Sequence, residues 1–300
     1  MANLDKVKIN IVEAQRRNAD LLYPHIWSRL QKLKEGEKKV IAISGGSGAG
    51  KTGMAWLLKE HFAEDKISAL VLSGDHYPHR IPMYNDAERL QIFRAEGLMG
   101  LLKKNLYHAD VEDALKKLQM QDEDADEKWT AQYPWLTIYQ KYGDEALKNY
   151  LGTERELRFF EVSFVLSAFK RGDEKIWLRQ MGREAYEVWY KEEKAADKEI
   201  LILEWTHGNS PLLTGIDLSI VLKSTPEETL ENRKKRNRDA AITSPFVARV
   251  LRIEQEKINA GMDRADFIQD MAGNISERSI RKGEGIYMED RNQEVSGDEE

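Results

Sequence analysis

Eight consecutive residues, Gly45-Gly46-Ser47-Gly48-Ala49-Gly50-Lys51-Thr52, fit the spacing G-x-x-x-x-G-K-[ST] and carry the most specific chemistry in the chain. Glycines let the backbone turn tightly, so successive N–H groups converge on one point. A helix N-terminus behind them adds positive potential, and together they form a cradle for phosphate oxygens. In such a cradle Lys51 reaches the β- and γ-phosphates and the Thr52 hydroxyl ligates Mg²⁺. All eight positions, Gly45, Gly46, Ser47, Gly48, Ala49, Gly50, Lys51 and Thr52, are therefore expected to contact the nucleotide.

Further polar residues stand where strands should end. Asp75 follows the apolar run at 67–73, and Glu204 closes another at 199–204. In open α/β sheets ligands bind outside the carboxyl ends of the strands, which places Asp75 beside the phosphate loop. An acid at the end of a buried strand is the pattern of a carboxylate that organises Mg²⁺, usually through water. The basic run Asn232-Arg233-Lys234-Lys235-Arg236-Asn237-Arg238 has two readings: a lid whose guanidinium groups close on ATP phosphates, or a solvated face supported by pairs such as Glu231 with Lys235. Tyr77, Arg80, Arg179 and Arg183 are read either as contacts to a phosphate acceptor or as packing and surface residues. His76 and His79, three apart, lack a third ligand nearby and read as acceptor contacts or loop residues rather than as a metal pair.

The elements that must position these groups follow from hydropathy. Residues 40–44 are continuously apolar, as a strand buried on both faces should be, and 54–62 carry Ala55, Leu58 and Phe62 on one helical face. Residues 67–73, 199–204 and 216–222 read as further strands. The first 36 residues have apolar positions at helical spacing, among them Ile9, Leu22, Ile26 and Leu30, and predict a helical preface that packs on the core or on a second subunit. From 85 to about 195 the chain reads as largely helical and aromatic, broken at 121–128 by an acidic stretch expected to be a solvated loop. Leu157, Phe160, Phe164 and Ala168 predict a helix that ends near Gly172, with Trp135, Trp177 and Trp189 in the core. Thr225-Pro226-Glu227-Glu228 has the residues of a capping box, and Ser244-Pro245-Phe246-Val247 starts a helix running to about Ile258.

Composition narrows the class. The chain of 300 residues contains no cysteine, which removes disulfides, thiolate metal sites and a cysteine nucleophile and fits the cytoplasm. No apolar stretch approaches a membrane span or a signal-peptide core. A formal net charge of −6 offers no general attraction for nucleic acid, so the expected ligand is small and phosphorylated.

Taken in order, the phosphate loop, the strand-end Asp75-x-Tyr77, a helical insertion, a strand ending in Glu204 and a basic lid followed by Ser-Pro-Phe-Val resemble the uridine kinase and phosphoribulokinase group of P-loop kinases. The resemblance spans roughly residues 38–258. It implies an α/β P-loop NTPase fold: a mostly parallel sheet sandwiched by helices, with a helical insertion. On this reading the core comprises 37–95 and 196–282, preceded by the preface at 1–36, interrupted by an acceptor region at 96–195 and followed by a flexible acidic tail at 283–300. It implies transfer of the γ-phosphate of ATP, with Mg²⁺, to a hydroxyl of a small metabolite. Asp75 becomes the base, Glu204 the Walker-B-like acid, and Arg233, Arg236 and Arg238 the lid arginines; Lys51 and Arg236 stabilise the transferring phosphoryl, and Thr52, Glu204 and Asp75 surround the metal. The segment His76-Tyr77-Pro78-His79-Arg80 departs from the nucleoside-kinase form, which argues against uridine itself. Leu72-Ser73-Gly74-Asp75 also resembles a segment of adenylylsulfate kinases, and a slow ATPase switch acting on a protein partner is the alternative from another class. A homodimer fits the preface; neither nucleic acid nor membrane is expected as a partner.

Overall fold

The computed structural model describes residues 11–33, 36–182, 184, 187–236 and 244–278. Chain order is α1 (Glu13–Leu30), β1 (Lys39–Gly45), α2 (Lys51–Glu64), β2 (Ala69–Ser73), α3 (Pro82–Lys103), α4 (Ala109–Met120), α5 (Leu136–Lys148), α6 (Phe159–Arg171), β3 (Lys175–Met181), β4 (Val188–Lys194), β5 (Ile200–Glu204), β6 (Leu218–Lys223), α7 (Leu230–Arg236), α8 (Pro245–Ala260), β7 (Phe267–Asp270) and β8 (Ile275–Glu277).

Strands so uniformly apolar can be stable only with both sheet faces covered. The main sheet has the order β2-β5-β1-β6-β7-β8, and every pair is parallel except β7 with β8. On one face α1 and α2 bring Leu22, Ile26, Leu58 and Phe62 against Ile41, Ile43, Ile202 and Ile220. On the other, Val162, Leu166 and Phe169 of α6 pack with Val40, Leu201 and Leu203. The preface thus belongs to the sheet core: Leu22 and Ile26 are fully buried. This is the P-loop NTPase architecture, with the loop strand β1 in the interior of the sheet.

A second core lies to one side. Phe93, Leu101, Leu115, Tyr139 and Leu147 of α3, α4 and α5 form it together with Phe246, Val250 and Ile253 of α8. The helix α8, distant in sequence, is therefore a member of the helical insertion in space. Arg249 fastens it: Nε donates to Ala125 O at 2.6 Å, Nη2 to Gln140 Oε1 at 2.6 Å and Nη1 to Asp144 Oδ2 at 2.7 Å.

Four expectations need correction here. The acidic stretch at 121–128 is not simply solvated, because Asp124 is buried and accepts from Arg94 at 2.8 Å and from Tyr139 Oη at 2.8 Å. A carboxylate with those partners ties the loop to α3 and α5. The region 85–195 is not helical throughout: β3 and β4 pair as an antiparallel hairpin. Its signal is the alternation of Ile176 and Leu178, both buried, with exposed Trp177. Exposed too is Trp189, so neither tryptophan is a core residue, while Trp135 packs partly buried on the helical core. Finally, α6 ends at the left-handed Gly172 as its C-cap glycine requires, but it turns Phe159, Val162 and Phe169 inward and leaves Phe160 and Phe164 exposed.

Candidate active site

The parallel register brings the polar strand ends to one edge of the sheet. Glu204 lies opposite Ser73 on β2 and Ile43 on β1, so the last residue of β5 sits between the start of the phosphate loop and the turn that carries Asp75. Between β1 and α2 the loop turns through Gly48 and Gly50, both with left-handed backbones (φ 83° and 95°). At Gly50 a Cβ would stand 2.8 Å from the Gln15 amide of α1, a second reason for glycine there. Lys51 is buried at the base of the loop, and its ammonium donates to Gly45 O and Gly46 O, each at 3.0 Å.

Two hydroxyls hold Glu204. Thr52 Oγ1 donates to Oε2 at 3.1 Å and Ser73 Oγ donates to Oε1 at 2.6 Å. Burial pushes this carboxyl well above the usual carboxylate range, and the Asp75 carboxylate raises it further, while Ser73, Lys51 and Thr52 act in the opposite direction. A carboxylate strained in this way gains from a nearby cation, so Thr52 and Glu204 are the residues that could hold Mg²⁺, with Asp75 bordering the same space. Among the described residues no group of three or more His, Cys, Asp or Glu side chains is arranged as a metal cage. That arrangement suits a metal shared with phosphate oxygens rather than one bound by protein alone.

Asp75 itself is exposed, in the single turn Gly74–His76 that follows β2. Gly74 makes the turn feasible: a Cβ there would lie 2.0 Å from the Trp205 ring. Trp205, fully enclosed beyond β5, thus presses from below on the turn that presents Asp75.

The remaining expected site residues fall into two sets. Arg233 of α7 packs its aliphatic stem against Gly48, is buried, and donates from Nη2 to Pro226 O at 2.7 Å. Next to it, Asn232 Nδ2 donates to Gly48 O at 3.1 Å, so the basic helix touches the loop directly. The capping box before it is formed, with Thr225 N donating to Glu228 Oε2 at 2.7 Å and Glu228 N to Thr225 Oγ1 at 3.2 Å. Arg236 closes α7, whereas Arg238 and Arg183 lie outside the described residues.

The acceptor contacts expected around Asp75 have structural partners. Tyr77 is fully buried in the sheet core, its hydroxyl accepting from Arg179 N at 3.3 Å. Arg179 is buried as well and donates to Pro78 O at 3.0 Å. Arg80 pairs with Glu88 at 3.3 Å and donates to Tyr150 Oη at 3.2 Å. His76 Nδ1 accepts from Met181 N at 3.1 Å, and His79 Nε2 meets Glu154 O at 2.9 Å; the two rings serve different segments.

A cluster with no local sequence signature faces this site instead. Glu156, fully buried, accepts from Arg89 Nε at 2.7 Å, Asn85 Nδ2 at 3.1 Å and Gly152 N at 2.7 Å. Arg89 also pairs with Glu254 of α8 at 3.1 Å. Its members come from α3, the turn before α6, and α8. Only tertiary structure assembles them. His207, just beyond Trp205, stands against Gly152, where a Cβ would come within 2.9 Å of its ring. Burial lowers the His207 pKa to about 4, offset in part by Glu156.

The sign of the resulting pH effect is fixed. A neutral, half-buried histidine with an unfolded value near 6.5 costs the fold stability as pH falls from about 6.5 towards 4, because the unfolded chain binds the proton first. Urea unfolding at pH 5 is expected to show a wild-type loss of about 2 kcal/mol from this residue, as read from its difference with His207→Gln. A pH 5 to pH 7 difference that is the same in both proteins would refute the assignment.

Part of the chain matches a known family profile. The Zeta toxin family profile matches residues 26–100, which hold β1, the loop, α2 and the Asp75 turn. Over 256 residues the chain is 35% identical to the bifunctional alpha-galactosidase/sucrose kinase AgaSK of Mediterraneibacter gnavus; the match covers 84% of this chain and 22% of that protein. Among solved structures, D-glycerate 3-kinase from Cryptococcus neoformans is 9% identical, with 89% of this chain and 100% of that chain covered at a TM-score of 0.48. Phosphoribulokinase from Rhodobacter spheroides is 12% identical, covering 78% and 70% at 0.43. The phosphate loop on an interior strand, the carboxylate ending the adjacent strand and the flanking parallel order are those of the P-loop NTPase fold.

Proposed function

We propose that the protein is a Mg·ATP-dependent kinase that transfers the γ-phosphoryl group to a hydroxyl of a small polar metabolite, and that this metabolite is a sugar. The observation that supports it best is the meeting of four groups at one sheet edge: Lys51 and Thr52 of the loop, Glu204 at the end of β5, and Asp75 at the end of β2. A loop that grips phosphates needs only a cation site and a base for an incoming hydroxyl to become a phosphotransferase.

In this reading the backbone N–H groups of Gly45 to Thr52 bind the β- and γ-phosphates, and Lys51 leaves its loop carbonyls to follow charge onto the transferring oxygens. When bound, Mg²⁺ would neutralise charge on those oxygens from a position held by Thr52 and Glu204. Asp75, exposed beside them, orients the acceptor hydroxyl and takes its proton. Arg233, already against Gly48, and Arg236 and Arg238 after it supply the lid.

The sugar assignment rests on the sucrose kinase relative. Of the two activities in its printed name, the kinase is the one that a phosphate loop serves. Incubation with Mg·ATP and single acceptors (sucrose, glucose, fructose, uridine, glycerate, adenylylsulfate) tests both levels at once. ADP formation accelerated by a sugar, with an equal amount of new phosphoester in the phosphorus NMR spectrum, is expected. A phosphoester on uridine or adenylylsulfate alone would keep the kinase and remove the sugar; ADP with no ester from any acceptor would remove the kinase.

A further inference from the structure

Helix α8 presents an acid to the phosphate loop. Glu254, with Leu251, Gln255 and Pro226, closes over Gly46 and Ser47 and leaves a cavity of about 10 Å³, room for one water at most. Gln255 Oε1 stands 3.0 Å from where a Cβ on Gly46 would be. With α8 in this place the space over Gly46 and Ser47 is too small for a phosphate group. Beyond Pro226, Leu251 and Gln255 opens a groove of about 780 Å³, so these residues form the partition between a large groove and the loop.

A carboxylate at the mouth of an anion cradle is electrostatically misplaced unless something holds it. Arg89 does so: its guanidinium lies between Glu156, at 2.6 Å, and Glu254, at 3.1 Å. The two carboxylates differ in how tightly they are fixed. Glu156 is fully enclosed, with Asn85 and Gly152 N as further donors, whereas Glu254 is the member that borders the loop. Burial pushes the Glu254 carboxyl up, Arg89 draws it down, Glu156 adds to the rise and Lys51 opposes it from the loop side. Arg89 is thus pre-positioned by Glu156, with Asp86 at 3.5 Å on its other side, and faces Glu254 as a replaceable anion at the place where phosphate charge must arrive.

We propose that Arg89 is a phosphate-contacting residue supplied by the helical insertion, and that Glu254 is its internal surrogate, displaced when a nucleoside polyphosphate enters the loop and α8 withdraws from Gly46. The inference rests on the nucleotide-binding part of the kinase reading. Its consequence is that nucleotide affinity is held down by competition from the protein's own carboxylate, and that binding hands Arg89 from Glu254 to a phosphate oxygen while Glu156 keeps it aligned.

Calorimetric titration of the full chain with Mg²⁺ and a non-hydrolysable ATP analogue tests this, with adenosine as the probe that lacks phosphate. Glu254→Gln keeps the shape and a hydrogen bond to Arg89, so it should fold; it is expected to bind the analogue about 10-fold more tightly and adenosine unchanged. Adding Arg89→Gln to that variant is expected to abolish the gain, and thermal unfolding of both variants shows whether Glu156 tolerates the loss. Should the double variant fail to fold, Arg89→Lys in the same background replaces it, with at least half of the gain lost. Unchanged or weaker analogue binding by Glu254→Gln would overturn the surrogate role, as would an equal gain for adenosine, which would mean that Glu254 acts by bulk alone. No analogue binding by either the wild type or Glu254→Gln, both folded, would overturn the nucleotide reading itself.

Discussion

Asp75→Asn is expected to leave ATP affinity within about twofold of wild type and to lower the rate of phosphoryl transfer by about 10²–10⁴-fold, the range for loss of a general base. The separation of the two effects follows from position. Asp75 sits on the turn beyond β2, which β5 separates from the loop strand β1. Asparagine is isosteric, and at an exposed position above Trp205 it should fold normally. Rapid-quench measurement of phosphoester formation, paired with nucleotide titration, checks the prediction. Full turnover in the variant would show that the acceptor loses its proton elsewhere; lost nucleotide affinity would move Asp75 to the metal side of the site.

Lys51→Met is expected to have the other large effect, and on a different quantity. The ammonium is buried under the loop and bridges Gly45 O and Gly46 O, so its removal takes away both the charge directed at the γ-phosphate and two bonds that shape the cradle. Methionine fills the same volume without charge. Loss of one such pre-organised cation costs about 10²–10³-fold in transfer rate, and the weakened cradle should also lower ATP affinity, unlike Asp75→Asn. The readouts are the single-turnover rate at saturating ATP and the titrated dissociation constant. A variant that bound ATP and turned over like wild type would exclude the loop as the phosphate site.

These two residues were legible in the sequence because their signals are local. A phosphate loop must be contiguous: the N–H groups that cradle one phosphate come from neighbouring residues, so Gly45 to Thr52 carry their function in their spacing. Asp75 and Glu204 were placed by a rule almost as local, since an acid that closes an apolar run ends a strand at the sheet edge where ligands bind. The strands β1, β2, β5 and β6 were found to within about two residues for the same reason, burial on both faces leaving an unbroken apolar run, whereas the short β7 and β8 had no such signal.

The acceptor side was not legible in this way. Tyr77 and Arg179 have polar atoms suited to a ligand, but the fold engages them internally, the Tyr77 hydroxyl accepting from the Arg179 backbone N–H and the Arg179 guanidinium donating to Pro78 O, because polar groups enclosed in the core must find partners there. The β3–β4 hairpin was hidden beside strongly helical neighbours, and Phe160 and Phe164 matched a helical spacing whose phase the true buried face, Phe159, Val162 and Phe169, does not share.

Sequence alone therefore pointed to the proposed donor site: the loop spacing, its lysine and its hydroxyl, and the strand ends that border it. The tertiary structure decided which charges face that cradle. Arg89, Glu156 and Glu254 are separated by 67 to 165 positions along the chain, and no spacing rule connects them. They meet because α8 buries Phe246, Val250 and Ile253 in the core of the helical insertion, and the burial of that apolar face, rather than any affinity between the charged residues, brings Glu254 to the phosphate loop.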